Sequence, residues 1–145
     1  MAWTKPVPYV EETLKPFWNG LKEHRFLLFR CNECGEWYWP AAYCRHHKNK
    51  PFFGSLSWQE ASGRGKVITF NITKVAMRPA FKDFVPYVYA LIKLNEGPII
   101  SSNILGCDPE AVYIDMPVRV LYEDVPEIGM TIPYFEPDPP NGAAS

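Results

Sequence analysis

Cys31-Asn32-Glu33-Cys34-Gly35, followed ten residues after Cys34 by Cys44-Arg45-His46-His47, is the strongest chemical signal in the chain. Each pair encloses two residues, the length of a tight turn that aims both side chains at one centre. Thiolates bind zinc at about 2.3 Å and imidazole nitrogens at about 2.0–2.1 Å, so three sulfurs and one nitrogen fill a tetrahedral shell. Equal spacing selects Cys31, Cys34, Cys44 and His47, with His46 as the alternative fourth ligand at a tighter gap. Gly35 is placed to relax the first turn. Lys48 stands at the matching place in the second, where Asn49 is the residue able to supply a positive φ. Two other chemistries must be weighed. A redox Cys-x-x-Cys pair requires a βαβ setting that the flanking sequence lacks, and disulfides are opposed by a reducing compartment. A closed four-ligand site leaves no position for water, so the expected zinc is structural. Such zinc is worth an apparent ~10–16 kcal/mol in finger peptides, enough to fold a segment with almost no core.

No other residues assemble into a catalytic pattern. Cys107 and His24 lie outside the metal cluster. A nucleophilic cysteine needs an activating base and an oxyanion hole, and Cys107 has no base near it in sequence, so a buried inert thiol is expected. His24 ends a helix, where it complements the dipole. Asp108, Glu110 and Asp115 read as caps and solvated residues. No catalytic residue is therefore assigned to this chain. Arg64, Lys66, Arg78 and Lys82 lie in or beside loops, interleaved with Phe81 and Phe84, a mixture able to receive a phosphate and stack a base. Scattered surface charge is the plainer explanation of the same residues.

The elements that must position these groups are short. Proline supplies 15 of 145 residues, well above the usual share of ~5%, and cuts the chain into pieces too brief for long helices. Residues 1–12 read as an extended arm, and Leu14 to His24 as a helix with Pro16 in its first turn and Phe17, Trp18 and Leu21 on one stripe. Arg25 to Arg30 is a strand leading into the cysteines, and Pro51 to Gly54 a boundary. Strands are expected over Leu56–Ala61, Lys66–Ala76, Tyr87–Leu94, Ile99–Leu105, Pro117–Tyr122 and Met130–Phe135. In the second, Ile68, Phe70 and Ile72 should share a face. Helical turns are expected from Cys107 to about Ile114. The aromatics between the pairs, Trp37, Tyr38, Trp39 and Tyr43, either form a contact surface or pack on the preceding helix. The organisation predicted is mainly β: arm, helix and rubredoxin-like zinc ribbon over 1–54, a small OB-type β-barrel over 55–136, and a disordered tail over 137–145.

A net charge of −1 and the absence of a basic stripe argue against nucleic acid, although OB barrels and zinc ribbons both serve single-strand binding, which stands as the rival reading. No apolar run approaches the ~18 residues of a membrane span, and the first residues lack a secretory signal, so a cytoplasmic location is the expectation.

The order of these features resembles a known family. Pro16-Phe17-Trp18, Cys31-x-x-Cys34-Gly35, Pro40, a second pair at Cys44, Gly63-x-Gly65, Pro86-Tyr87, Gly106-Cys107-Asp108-Pro109 and Pro117-Val118 recur together. The combination is similar to the paired zinc-ribbon and OB-fold proteins long catalogued as a domain of unknown function, over roughly residues 10–137. That family places a second Cys-x-x-Cys where this chain has Cys44 and His47. The resemblance implies a non-catalytic accessory subunit, hetero-oligomeric with a thiolase-like catalytic subunit, with acyl-CoA or CoA as ligand of the complex. Its narrowest implication is cleavage of benzoylsuccinyl-CoA to benzoyl-CoA and succinyl-CoA. It casts Arg64, Lys66, Arg78 and Lys82 as CoA-binding candidates. A pure assembly scaffold is the further alternative.

Overall fold

The structure, a computed structural model, describes residues 3–41, 43–47 and 54–138. A 3-10 turn, Glu12–Leu14, runs into the helix α1, Lys15–Lys22. Pro16 sits in its first turn, where the missing N–H costs nothing. Phe17 and Leu21, four residues apart, are buried on one face. Gly20 weakens the helix, yet a Cβ there would come within 2.9 Å of the Leu27 side chain, so the glycine lets the next strand pass close. The helix ends two residues earlier than its sequence pattern suggests, in a Schellman turn. Arg25 N–H donates to Gly20 O and His24 N–H to Leu21 O, with His24 itself left-handed at φ 57°.

Two sheets follow. The strands β1 (Leu27–Cys31), β2 (Trp37–Tyr38) and β3 (Leu56–Glu60) form a three-stranded antiparallel sheet in the order β2-β1-β3. β3, expected as the first strand of the barrel, instead pairs along β1 from Leu27↔Glu60 to Cys31↔Leu56 and belongs to the ribbon. The barrel comprises β4 (Arg64–Thr73), β5 (Tyr87–Leu94), β6 (Ile99–Ile104), β7 (Pro117–Val125) and β8 (Met130–Pro137), closed in the order β4-β5-β6-β8-β7. β6 and β8 are parallel and the other neighbours antiparallel, the five-stranded Greek-key closure of an OB fold. Only one 3-10 turn, Pro109–Ala111, occupies the place of the longer helical insert. Asp108 caps it by accepting from Glu110 N–H at 2.9 Å.

β5 keeps the alternation read from its sequence, with Val88, Ala90, Ile92 and Leu94 all buried. β4 does not. Its register on β5 steps from Val67↔Ile92 to Thr69↔Leu91, leaving Ile68 as the extra residue of a β-bulge. Val67 is consequently fully buried before the bulge, Phe70 and Ile72 turn inward after it, and Ile68 is 38% exposed. Strict alternation placed Ile68 with Phe70 and Ile72; one inserted residue flips it to the other face.

One cluster joins the parts. The Phe26 ring, 1% exposed, lies 5.9 Å from Phe17 of α1 and 6.1 Å from Phe135 of β8, both edge-on. Trp39 lies 4.2 Å from Phe17 and so follows the helix-packing alternative, while Trp37 packs against the shared core. Tyr43 is 45% exposed. Of the boundary expected over Pro51 to Gly54, residues 51–53 lie outside the described residues and Gly54 is in a turn; of the tail expected over 137–145, residues 139–145 lie outside them. β8 itself reaches Pro137, and Asp138 N–H donates to Pro117 O at 2.9 Å. Among the described residues no helix is long and apolar enough to cross a membrane.

Candidate metal centre

β1 delivers Cys31 at its end, and the chain turns back through Asn32, Glu33 and Cys34 into β2. The turn is pinned by Gly35 N–H donating to Cys31 O at 3.0 Å and Cys31 N–H donating to Glu36 O at 2.8 Å. Gly35 has φ 76°, which accounts for a glycine at this step. Its carbonyl accepts from Arg30 Nε at 3.0 Å, and the Arg30 guanidinium lies 4.8 Å from the Trp37 ring, bracing the turn from outside. The second half is tied by His47 N–H donating to Cys44 O at 3.0 Å. The expectations for Lys48 and Asn49 fall outside the described residues.

These turns bring the ligand atoms of Cys31, Cys34, Cys44 and His47 within 4.8 Å of one another. Cys31 Sγ is 3.5 Å from His47 Nδ1, and Cys34 Sγ is 3.6 Å from Cys44 Sγ. A zinc tetrahedron with the usual bond lengths has S···S edges of about 3.8 Å and S···N edges of about 3.6 Å. The donor set and its spacing therefore fit zinc. His46 is not part of this group.

The surroundings favour deprotonated sulfur at Cys31 and Cys44, whereas Cys34 is pushed up: the Glu36 amide lowers it, but burial and the neighbouring Cys44 and Cys31 sulfurs outweigh that. The Cys31 thiol is lowered to about 6, first by the Cys34 amide and, against the cost of burial, by the Glu33 amide. Cys44 is also lowered: burial raises it, but the Tyr38 hydroxyl, the His46 amide and the His47 ring together outweigh that. The Tyr38 hydroxyl lies 3.2 Å from Cys44 Sγ while accepting from Arg45 N–H at 3.1 Å, so its own proton is free for the sulfur. His47 Nε2 lies 3.0 Å from Glu33 Oε2. A proton held there by the carboxylate leaves Nδ1 bare toward the sulfurs. Sequence spacing alone missed both supports, although Glu33 lies inside the first pair and Tyr38 only four residues beyond it.

The four cationic candidates do not meet. Arg64 and Lys66 begin β4, whereas Arg78 and Lys82 lie in the loop after its end. From Lys66 to Thr73 the strand alone covers about 23 Å at ~3.3 Å per residue. Arg64 is also committed to Asp138 at 2.9 Å. Lys66 stands opposite Lys93 on β5. Arg78 and Lys82 flank the 3-10 turn Pro79–Phe81 and are both exposed. Of the two remaining candidates for chemistry, burial pushes the Cys107 thiol up, with Asp108 adding to it. His24 Nε2 contacts both carboxylate oxygens of Asp124 at 3.0 Å, and its ring stacks on Tyr122 at 4.8 Å. The helix-end histidine thus serves β7 rather than the helix dipole.

Comparison with known proteins agrees with the two-part architecture. The rubredoxin-like zinc ribbon domain of ChsH2 matches residues 18–46, and the C-terminal OB-fold domain of ChsH2 matches residues 58–123. A DUF35 domain-containing scaffold protein of Methanocaldococcus jannaschii is 37% identical over 114 residues, 77% of this chain and 78% of that protein. A probable enoyl-CoA hydratase alpha subunit of Thermomonospora curvata is 32% identical over 139 residues; the match takes 94% of this chain but 41% of that longer protein. Among solved structures, a chain of the Ltp2-ChsH2(DUF35) aldolase superposes with a TM-score of 0.75 at 29% identity, over 90% of this chain and 98% of that one. With a bound-ready ribbon, a closed five-stranded barrel and this set of relatives, the chain belongs to the DUF35 family of joined ChsH2-type zinc-ribbon and OB-fold domains.

Proposed function

We propose that this chain is an accessory subunit of an enzyme complex acting on acyl-CoA, with zinc in the ribbon as a structural element. The observation that carries the reading is the likeness, across nearly the whole length of both chains, to a DUF35 chain named together with Ltp2 as one aldolase. The CoA substrate class comes from the hydratase alpha subunit, whose name joins a matching region to an enoyl-CoA. Cys31, Cys34, Cys44 and His47 would hold the zinc, and Glu33 would orient the histidine. The metal supplies cross-linking of two turns that have little core of their own.

The finer reading is a thiolase-like partner, with benzoylsuccinyl-CoA cleaved to benzoyl-CoA and succinyl-CoA. In it, Arg78 and Lys82, exposed beside Phe81 and Phe84, receive the anionic end of CoA, while Arg64 and Lys66 lie too far along β4 to join them. The chain supplies no catalytic residue of its own in this reading. Single-strand binding is the weaker rival, because many cations are already matched: Arg25 to Glu60, Arg45 to Glu36, Arg64 to Asp138 and Arg119 to Glu136.

The test is co-purification of the chain with its untagged partner, then turnover of a panel of acyl-CoA thioesters that includes benzoylsuccinyl-CoA. The double variant Arg78→Ala, Lys82→Ala should assemble normally and raise the KM for the thioester. Unchanged kinetics would leave the scaffold role and remove the CoA contact. A partner that turns over no thioester in the panel would overturn the reading.

A further inference from the structure

A cavity of about 400 Å³ opens on the barrel where β5, β6 and β8 meet the loop after β4. Its walls are mostly apolar and aromatic, among them Phe84, Tyr87, Ile104 and Tyr134. That volume falls within the range of small-molecule sites, about 300–1,000 Å³. One cation lines it. Lys5 reaches in from the N-terminal arm, donating from Nζ to the Tyr134 hydroxyl at 2.9 Å. The same ammonium lies 3.9 Å from the Phe84 ring centre and 5.1 Å from those of Trp3 and Tyr134.

The ammonium is incompletely matched. Lysine offers three donors, and beside the three rings this one has a single hydrogen-bond acceptor among the described residues, a neutral hydroxyl. No carboxylate among the described residues makes an ion pair with it; Glu123 acts on it through space only. A second donor on the same arm is also unmatched, since the Trp3 indole N–H is buried and finds no acceptor among the described residues. Buried donors without acceptors are uncommon; the Lys5 ammonium is half-buried, so its face toward the cavity stays open to a charged acceptor. An apolar cavity with a fixed, under-matched cation on its wall selects for a molecule that is greasy at one end and anionic at the other.

We propose that this cavity binds a small aromatic carboxylic acid as its carboxylate. The ring lies against Phe84, Tyr87 and Ile104, and the carboxylate accepts from Lys5 Nζ. The site is separate from the metal centre and does not rest on the accessory-subunit reading.

The test follows methyl and amide NMR signals of Ile104, Gly106 and Tyr134 in the metal-loaded full chain during titration with benzoate, benzamide and acetate. Benzoate should shift these signals saturably. Benzamide, which has the ring without the charge, and acetate, which has the charge without the ring, should each bind about tenfold more weakly or worse. Lys5→Met should weaken benzoate by a similar factor and leave benzamide unchanged. Equal binding of benzoate and benzamide, equal binding of benzoate and acetate, or no saturable shift at these residues would each overturn the proposal. The comparison among probes needs no variant, so it stands even if Lys5→Met loosens the arm.

Discussion

At the scale of single residues, the metal centre rests on four donors and two supports. Replacing Cys44 by Ser would remove a buried sulfur of the proposed ligand set, and the variant should purify with less zinc per chain than wild type by elemental analysis. Glu33→Gln is more discriminating, because it keeps all four donors. Outer-shell partners typically contribute 10–100-fold to metal affinity, so competition with a chromogenic chelator should show a loss in that range; an unchanged affinity would mean that the 3.0 Å contact to His47 Nε2 does not fix the ring. Away from the metal, Asp124 is held below its ordinary value of 3.8, first by the Thr131 hydroxyl at 2.6 Å and then by His24. A depressed carboxylate contributes stability above its unfolded pKa and loses it as pH falls through the folded one. Thr131→Val should therefore be less stable than wild type near neutrality. The gap should begin to narrow near pH about 4 and close as pH falls through the lower folded value, as measured by denaturant unfolding across a pH series.

At the scale of elements, what the sequence made legible depended on whether neighbours were close along the chain. The Cys-x-x-Cys turn, the alternation of β5 and the glycine at Gly35 are local and could be read directly. The β4 bulge could not, because Ile68 is displaced by pairing with β5, some twenty-odd residues away, and by Val67 exchanging bonds with Asp115 and Met116. The allegiance of β3 was hidden for the same reason: its alternation suits either sheet, and only the partner β1 decides. The second ligands' supports and the Lys5 cage join residues far apart in the chain, as with Lys5 and Tyr134, or join side chains whose roles no spacing rule names. Gly65 illustrates a close approach that sequence marks only as a turn. It lies buried inside β4, and a Cβ there would overlap the Lys93 carbonyl and come 2.9 Å from Leu94 Cα. Both are backbone atoms that cannot swing aside. Gly65→Ala should destabilise the barrel by about 1–3 kcal/mol, the usual cost of overpacking, in thermal or urea unfolding.

At the scale of the molecule, part of the ribbon, the helix and the barrel meet in one cluster around Phe26, while the metal turns pack in a second around Phe29, Cys31, Cys44 and Leu56. Phe26→Ala should cost about 3–5 kcal/mol and lower the unfolding midpoint of the whole chain. This continuity bears on function. Shared packing of ribbon, helix and barrel suits the proposed role of a subunit that docks on a catalytic partner. Under the proposed function, a catalytic partner should handle acyl-CoA better with this chain than without it. The most direct test is the steady-state kcat/KM for an acyl-CoA thioester of the co-purifying partner, measured alone and after the metal-loaded chain is restored. A low value should rise on restoration to that of the native complex. An identical kcat/KM in both states, with the complex shown to have formed, would contradict the proposed function.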